Sequence, residues 1–397
     1  MRIVTTTPEL EDLCAGLSRA PYVALDTEFL RDQTYWPKLC LIQLAAPALG
    51  HGPGAEPGIE AIVDPMAPGL ELGPFRRLLA HKGTVKVMHA ARQDIEIFHQ
   101  QGGVIPDPLF DTQIAAMVCG FGDAASYETL ARRIAKVEID KSARFTDWSR
   151  RPLSKRQLEY ALADVTHLRR VYEHLARELD KTGRAPWVEE ELSALKDPAL
   201  YRLDPEQAWR RLKPRTHSRK FLAVLAAIAT WREREAQTRD VPRNRIVKDE
   251  ALLEIAAHPP ENAEALDHIR AVPRGWANSR QGQALLKAVA EGLAGPPPED
   301  LPPPDHRRRG NEPAPAALDL LKTLLRLRAN EFGVAARLVA TSDDLEKLAG
   351  GDNEGVAALH GWRADVFGND ARLLRDGKLA IALRDGHAVV IETGIEE

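Results

Sequence analysis

The chain has 397 residues, a formal net charge of −4, 44% hydrophobic residues and 28% charged residues, values typical of a soluble globular protein of two or three domains. The longest apolar run, residues 221–231, is too short to cross a bilayer, and the first residues lack the apolar segment and small-residue cleavage site of a signal peptide. These features exclude a membrane-embedded protein and predict a cytoplasmic one.

The first predicted elements place two acidic residues at the end of a strand. A helix is predicted to begin with Thr7 as its N-cap, the apolar residues 22–25 predict a strand, and Asp26 and Glu28 close that strand. Side chains alternate along a strand, so both carboxylates point to one face. They repel unless a cation lies between them, and Mg²⁺ or Mn²⁺ prefers such oxygen ligands. Because the chain has 58 acidic residues, a solvated strand end explains the same pattern.

Further strands and one helix follow before the next acidic candidate. Residues 39–45, 61–64 and 84–88 read as strands, and residues 70–81 read as a helix. The first three strands of the chain have no helix between them, which predicts an antiparallel meander. Asp111 precedes another short helical segment and is predicted to be its N-cap.

Asp94 is predicted to lie in the first turn of a helix that directly follows a strand. Ala91, Ile95 and Phe98 recur at helical spacing. The helix dipole favours an acid in this turn without any function, whereas a strand-to-helix junction is also a common position for a ligand site. His89, just before the helix, reads more readily as a hydrogen-bonded structural histidine than as a catalytic one.

A third segment places Tyr160 and Asp164 on one face of a helix. Ser154 and Gln157 have the spacing of a capping box, so this helix is predicted to begin near Lys155. Residues four apart lie one above the other. When the segment is considered alone, a half-buried aromatic residue and an exposed helix acid are the favoured explanation of the pair.

Taken together, the three segments carry a family resemblance. The chain resembles the DEDD 3′→5′ exonucleases of the subclass with tyrosine in the third motif, and within them the ribonuclease D family. The resemblance covers the first half of the chain and implies an RNase H-like α/β fold, with a central mixed sheet flanked by helices. The motifs are Asp26-Thr27-Glu28-Phe29, residues 35–43, His89 to Asp94, Thr146-Asp147-Trp148, Arg151-Pro152-Leu153 and Tyr160-x-x-x-Asp164.

The resemblance implies a catalytic role for each of the five residues. Asp26, Glu28 and Asp164 would hold one divalent ion, Mg²⁺ or Mn²⁺, and Asp26 and Asp94 would hold a second. Two ions stabilise the attacking and leaving oxygens of phosphodiester hydrolysis. Tyr160 would orient the nucleophilic water, because a phenol with an ordinary pKa of about 10 is not a ready base at neutral pH.

Several residues around this site are candidates for contacts with nucleic acid. Two apolar residues, Phe29 and Leu30, follow the strand carboxylates and would wedge against terminal bases, although core packing explains Phe29 equally well. Two basic residues lie in the loop of residues 141–152 and would contact phosphates. The basic stretch of residues 201–220 contains Trp209 and is followed by Phe221, and it suits either a phosphate-tracking, base-stacking surface or a solvated connector. The individual candidates are Phe29, Leu30, Lys141, Arg151, Arg215 and Lys220.

The second half of the chain contains a repeat. Gly275-Trp276 is followed by Gly282, and Gly361-Trp362 is followed at the same spacing by Gly368, which predicts two copies of one small helical domain. The copies resemble the HRDC domain, which is found in helicases and in this nuclease family. The second copy ends in two apolar runs around Asp385-Gly386, which predict a hairpin.

We therefore predict a metal-dependent 3′→5′ exoribonuclease that releases 5′-mononucleotides from RNA 3′ ends, with tRNA precursors as the expected substrates and no obligate protein partner. A 3′→5′ DNA exonuclease and a non-catalytic RNA-binding scaffold are the alternatives. The predicted domains are an exonuclease domain (1–200), a first HRDC-like domain (201–295), a proline-rich linker (296–315) and a second HRDC-like domain with a C-terminal hairpin (316–397).

Overall fold

The computed structural model describes residues 1–50, 56–144, 146–214, 216, 218–298 and 315–394. The chain divides into two compact units. The larger unit combines Met1–Glu28, Cys40–Leu200 and Arg307–Glu397, and the smaller unit combines Phe29–Leu39 with Tyr201–His306. Within the described ranges, no helix is both long enough and apolar enough to span a bilayer. Most of the predicted linker, residues 299–314, lies outside the described residues.

A mixed sheet of six strands is present in the described part of the chain. The strands are β1 (Arg2–Val4), β2 (Tyr22–Leu30), β3 (Lys38–Ala46), β4 (Ile59–Val63), β5 (Val85–Met88) and β6 (Leu109–Asp111). Their order is β1-β4-β3-β2-β5-β6. β3 and β4 pair antiparallel, whereas β1 with β4, β2 with β5, and β5 with β6 pair parallel. The predicted mixed sheet is confirmed, and β1 and β6 are additional strands that are too short to show periodicity.

Helices flank this sheet, and two of them begin with capping boxes. Thr6, one residue before the predicted N-cap, caps α1, because its side chain and that of Glu9 bond each other's backbone N–H groups. Ser154 and Gln157 cap α6 in the same way, as the sequence predicts. The helices before residue 200 are α1 (Thr7–Leu17), α2 (Gly73–Ala80), α3 (Arg92–Gly102), α4 (Thr112–Val118), α5 (Tyr127–Leu130), α6 (Lys155–Thr182) and α7 (Ala185–Leu195).

The smaller unit is helical and has its own hydrophobic core, to which the loop between β2 and β3 contributes. Tyr35 from this loop is buried in that core, and its hydroxyl group bonds the buried carboxylate of Glu233. Arg243 and Arg211 also bond Glu233, so the buried charge is paired, as burial of a carboxylate requires. The helices are α8 (Arg219–Arg239), α9 (Arg243–Ile246), α10 (Asp249–Ala257), α11 (Ala263–Asp267) and α12 (Arg280–Ala294).

The C-terminal part of the larger unit has five helices in its described residues and a terminal hairpin. β7 and β8 pair antiparallel across Asp385-Gly386, as the sequence predicts. Gly282 and Gly368, the glycines of the sequence repeat, both lie against backbone: an added Cβ atom would clash with the carbonyl oxygen of Ala277 in one copy and of Ala358 in the other. The elements are α13 (Pro315–Phe332), α14 (Ala336–Val339), α15 (Ser342–Ala349), α16 (Gly361–Arg363), α17 (Asn369–Arg375), β7 (Leu379–Arg384) and β8 (His387–Glu392).

This C-terminal part is fixed to α7 by an aromatic stack and an ionic clamp. The rings of Trp187 and Trp362 stack with centroids 4.4 Å apart. The Arg363 guanidinium, 13% exposed, bonds Glu190 at 2.5 Å and also bonds Glu191. Removing the arginine alone would leave two carboxylates without their partner, which destabilises the folded protein.

Candidate active site

β2 carries Asp26 and Glu28 near its C-terminal end, with the buried Thr27 between them. Because side chains alternate along the strand, Thr27 faces away from the two carboxylates. Its hydroxyl group donates a hydrogen bond to Oδ1 of Asp94. This bond ties the start of α3 to the neighbouring strand and orients the Asp94 carboxylate, a contact that spacing along the sequence does not predict.

Asp111 organises the backbone that leads into α3. Its carboxylate accepts hydrogen bonds from the N–H groups of Ala90 at 3.0 Å, Ala91 at 2.8 Å and Gln113 at 2.8 Å. The last bond is the N-cap of α4, as the sequence predicts. The first two fix the turn after β5, in which Ala90 has a φ of +56°, a conformation uncommon for residues other than glycine. Asp111 thereby positions the first turn of α3, where Asp94 lies.

α6 presents Tyr160 and Asp164, one turn apart. The Tyr160 hydroxyl group lies near the Asp164 carboxylate and favours its charged form, and the Trp148 ring packs against Tyr160 with centroids 6.0 Å apart. Asp164 is buried rather than exposed on the helix surface. Tyr127, which sequence reasoning missed, bonds the Ala163 carbonyl oxygen at 3.0 Å through its hydroxyl group.

The four carboxylates lie close enough for repulsion among them to raise the pKa values of two of them, Asp26 and Glu28. Burial, with repulsion from Asp164, Asp94 and Glu28, raises the pKa of Asp26 well above its usual range. Burial and repulsion from Asp164 and Asp94 raise the pKa of Glu28 to about 8. Burial also raises the pKa values of Asp94 and Asp164 to about 7 each. The structure thus brings together four acids that are separated by up to 138 positions, from residue 26 to residue 164.

Polar neighbours oppose these shifts only in part. The Thr27 hydroxyl group favours the charged form of Asp94, and the Tyr160 hydroxyl group, followed by the Arg144 guanidinium, favours that of Asp164. Tyr160 itself has a raised pKa, chiefly because of burial and then because of the nearby negative charge of Asp164. Its phenol therefore stays protonated at neutral pH.

A cleft with a volume of about 330 Å³ opens beside these residues. Asp26, Tyr160 and Asp164 line it together with Arg144. The cleft is also lined by residues that the sequence analysis did not assign to the site. They belong to the turn between β5 and α3, to α4, to α5 and its N-cap, to the loop after α5, and to α6. They are His89, Ala90, Gln113, Ser126, Tyr127, Glu128, Ile139 and Leu168.

The donor atoms of the cluster suit a hard divalent cation, because carboxylate oxygens are the ligands that Mg²⁺ and Mn²⁺ prefer. The burial and repulsion that raise these pKa values would also favour a bound cation beside the carboxylates. Among the described residues, however, no group of three or more acidic, histidine or cysteine side chains is arranged to hold a metal ion. The carboxylates share a neighbourhood without forming a complete ligand set, and one oxygen of Asp94 is bonded to Thr27.

Four of the six residues predicted to contact nucleic acid have their side chains among the described residues. Arg151 bonds both carboxylate oxygens of Asp64, at 2.6 and 2.7 Å, and three carbonyl oxygens, so its guanidinium holds its own loop in place and is not free to bind phosphate. Phe29 and Leu30 belong to the smaller unit and are half-buried. Lys220 is exposed in the first turn of α8.

The other two predicted contact residues are Lys141 and Arg215, and the sequence also suggested base stacking by Trp209 and Phe221. The side chain of Lys141, and Arg215 as a whole, lie outside the described residues. The suggestion that Trp209 and Phe221 stack on bases is wrong, because both rings are buried in the core of the smaller unit, at 3% and 9% exposure.

Comparison with known proteins identifies the family. Residues 1–180 match the 3′-5′ exonuclease family model and residues 221–289 match the HRDC domain. The chain is 49% identical to ribonuclease D of Granulibacter bethesdensis, over 99% of this chain and 97% of the relative. It is 46% identical to ribonuclease D of Nitrobacter hamburgensis, over 99% and 100% of the two chains.

A solved structure supports the same assignment. The crystal structure of Escherichia coli RNase D, described as an exoribonuclease involved in structured RNA processing, superposes with a TM-score of 0.77 at 28% identity, covering 95% of this chain and 98% of that one. Identity of 46–49% to two ribonuclease D relatives over nearly the whole length, together with the matched exonuclease and HRDC domains, establishes that the chain belongs to the ribonuclease D family of 3′→5′ exoribonucleases.

Proposed function

We propose that this exoribonuclease hydrolyses the terminal phosphodiester bond of RNA with two bound divalent metal ions, releases 5′-mononucleotides, and trims the 3′ ends of tRNA precursors. The observation that carries the proposal is the cluster of Asp26, Glu28, Asp94 and Asp164: burial raises the pKa values of all four, and repulsion from other acids of the cluster raises those of Asp26 and Glu28 further. Such a cluster is destabilising unless cations neutralise it.

The division of ligands is taken from the pattern of the exonuclease family to which the chain belongs. Asp26, Glu28 and Asp164 would hold one ion, and Asp26 and Asp94 would hold the other; the two strand carboxylates face the same side of β2. Bound divalent ions lower the pKa of coordinated water and stabilise charge on the attacking and leaving oxygens. Among the described residues these carboxylates are not arranged as a closed ligand set, so the assignment rests on the family and not on their geometry.

Tyr160 has an orienting role in this proposal. Its phenol is protonated at neutral pH, so it is a poor general base. We assign it to orient the nucleophilic water beside the carboxylates by hydrogen bonding. An orienting phenol lowers the entropy cost of in-line attack without itself accepting the proton.

Arg144 supplies positive charge on the wall of the same cleft. It lines the cleft with Asp26 and Asp164, and its guanidinium lowers the pKa values of Glu28 and Asp164 by charge attraction. Arginine has a geometry that matches a phosphate of the RNA backbone. We therefore place Arg144 among the phosphate-binding residues.

The choice of tRNA precursors rests on the family and on the HRDC domain at residues 221–289. Structured RNA processing is the role stated for the E. coli relative, and a tRNA precursor combines a folded body with a short single-stranded 3′ end. Such an end can enter the cleft beside Asp26 and Asp164 directly, whereas a base-paired end has to be unpaired first.

The test uses purified protein and a 5′-labelled tRNA precursor, with Mg²⁺, with Mn²⁺ or with a chelator. We expect stepwise 3′ shortening and 5′-mononucleotides only when a divalent ion is present, and loss of this activity in Asp26→Asn. A matched DNA oligonucleotide is the control for sugar preference: faster degradation of DNA would overturn the RNA substrate. Chelator-resistant trimming, or normal trimming by Asp26→Asn, would overturn the metal mechanism.

A further inference from the structure

His89 lies in the turn between β5 and α3 and lines the cleft beside Asp26 and Tyr160, yet none of the roles proposed above uses it. The backbone beside it is held firmly. Asp111 accepts hydrogen bonds from the next two N–H groups, those of Ala90 and Ala91. The imidazole is therefore presented to the cleft from a fixed turn rather than from a mobile loop.

The ring of His89 is held on two further sides. Its Nδ1 atom lies 3.0 Å from the hydroxyl oxygen of Thr112. Its ring packs against that of Tyr127 with centroids 5.8 Å apart, and Tyr127 is in turn fixed by its 3.0 Å bond to the Ala163 carbonyl oxygen. These contacts leave the Nε2 edge as the part of the ring that can meet a ligand.

The bond to Thr112 determines which nitrogen carries the proton. The Thr112 hydroxyl group donates its single proton to the Met88 carbonyl oxygen at 3.1 Å, because a carbonyl oxygen can only accept. Thr112 must then accept from His89, so Nδ1 carries a proton and Nε2 of the neutral ring carries a lone pair. Burial lowers the pKa of His89, which favours this neutral form. Within the described ranges, we find no donor bonded to Nε2.

We propose that Nε2 of His89 accepts a hydrogen bond from the ribose 2′-hydroxyl group of the 3′-terminal nucleotide, which makes His89 a residue that selects RNA over DNA. The proposal rests on the proposed function, in that the RNA 3′ end must enter this cleft. A lone pair needs a donor, and phosphate oxygens have no proton to donate at neutral pH. The 2′-hydroxyl group is a donor that RNA has and DNA lacks. A buried acceptor left unpaired by a deoxynucleotide penalises that substrate.

Two substitutions separate the two ends of the ring. In His89→Asn, the shorter amide can still donate to Thr112 but places no group where Nε2 lies. In His89→Gln, the longer side chain brings an amide oxygen, an acceptor, to the position of Nε2. The substrates are RNA oligonucleotides that differ only in the last nucleotide, which carries a 2′-hydroxyl group, 2′-fluorine or a 3′-deoxy sugar. The 2′-fluoro sugar keeps a ribose-like pucker but has no proton to donate.

We expect the wild-type protein to favour the 2′-hydroxyl end over the 2′-fluoro end by roughly tenfold in kcat/KM, the value of one hydrogen bond to a buried acceptor. His89→Asn should bring this ratio close to one, and His89→Gln should restore part of it. An equal loss on both substrates would mean that His89 is merely structural and would overturn the proposal. If His89→Asn instead abolishes discrimination against the 3′-deoxy end, the ligand is the 3′-hydroxyl group and the assignment is wrong.

Failure of this inference is distinguishable from failure of the proposed function. If the wild-type protein releases mononucleotides with Mg²⁺ or Mn²⁺ but cuts the 2′-hydroxyl and 2′-fluoro ends equally fast, only the role of His89 is refuted. If it releases nothing with either ion, the proposed function fails, and the inference fails with it.

Discussion

Removing the charge of Asp94 should stabilise the metal-free protein at alkaline pH, although it should abolish activity. Burial raises the pKa of this carboxyl group from 3.8 to about 7. A group that binds its proton more tightly in the folded state contributes stability at low pH, and this contribution is lost as the pH rises through the folded pKa. At about 1.4 kcal/mol per pKa unit, the full loss is about 4 kcal/mol, of which about 3 kcal/mol falls between pH 5 and pH 8.

Asp94→Asn isolates this effect, because asparagine does not ionise and its amide oxygen still accepts from Thr27. We expect the stability of the variant relative to wild type to rise by up to about 3 kcal/mol between pH 5 and pH 8. At roughly 2–4 °C per kcal/mol for a domain of this size, the change amounts to several degrees in Tm. Differential scanning calorimetry of chelator-treated protein at the two pH values measures it.

A matched control and a metal titration complete this experiment. Asp12→Asn removes a carboxylate whose side chain is 77% exposed, and it should change Tm similarly at both pH values. Mg²⁺ should raise the Tm of the wild-type protein at pH 8 more than that of Asp94→Asn, because ligands stabilise the state that binds them. If Asp94→Asn lowers the stability equally at both pH values, the carboxylate is not strained by burial, and the reasoning from its raised pKa is refuted.

Four further substitutions test separate contacts. Thr27→Val, which loses the bond to Asp94, should raise the Mg²⁺ concentration for half-maximal activity by roughly 10–100-fold. Thr27→Ser keeps a hydroxyl group and should need about the same Mg²⁺ concentration as the wild-type protein. An unchanged Mg²⁺ concentration for Thr27→Val would contradict the orienting role of Thr27. Tyr160→Phe should lower kcat about 10²-fold without moving the pH–rate profile, because the phenol is protonated throughout; a displaced profile would indicate a general base. Arg144→Ala should raise KM for RNA and reduce the slope of log KM against log salt by about one, whereas an unchanged slope argues against a phosphate contact. Arg363→Ala, which leaves two glutamates beside α7 without their partner, should cost about 3 kcal/mol in urea unfolding; a loss no larger than that of an exposed ion pair would show that the clamp is weak.

Patterns among residues close together in the sequence were enough to identify the acidic residues as site candidates. The alternation of side chains along a strand puts Asp26 and Glu28 on one face, and the helical repeat puts Tyr160 and Asp164 on another. The start of α3 follows from the spacing of apolar residues after β5. Each of these features depends on neighbours within about four positions, which is the range over which sequence patterns are informative.

The remaining features depend on contacts between distant segments. The Thr27–Asp94 bond joins residues 67 positions apart, and the hydrogen bonds of Asp111 reach back about 20 positions to the turn after β5. The burial of Trp209 could not be foreseen, because an aromatic residue within a basic stretch suits a core or a stacking surface equally. The tautomer of His89 depends on a threonine hydroxyl group whose own partner is known only from the fold.

The most direct test of the central claim is the release of label from the 3′-terminal nucleotide of a tRNA precursor by the purified protein, measured as Mg²⁺ is added after complete chelation. We expect no release before Mg²⁺ is added, release of 5′-mononucleotides after it, and no release at any Mg²⁺ concentration by Asp26→Asn. Release by the chelated wild-type protein, or undiminished release by Asp26→Asn, would contradict a carboxylate-held metal centre.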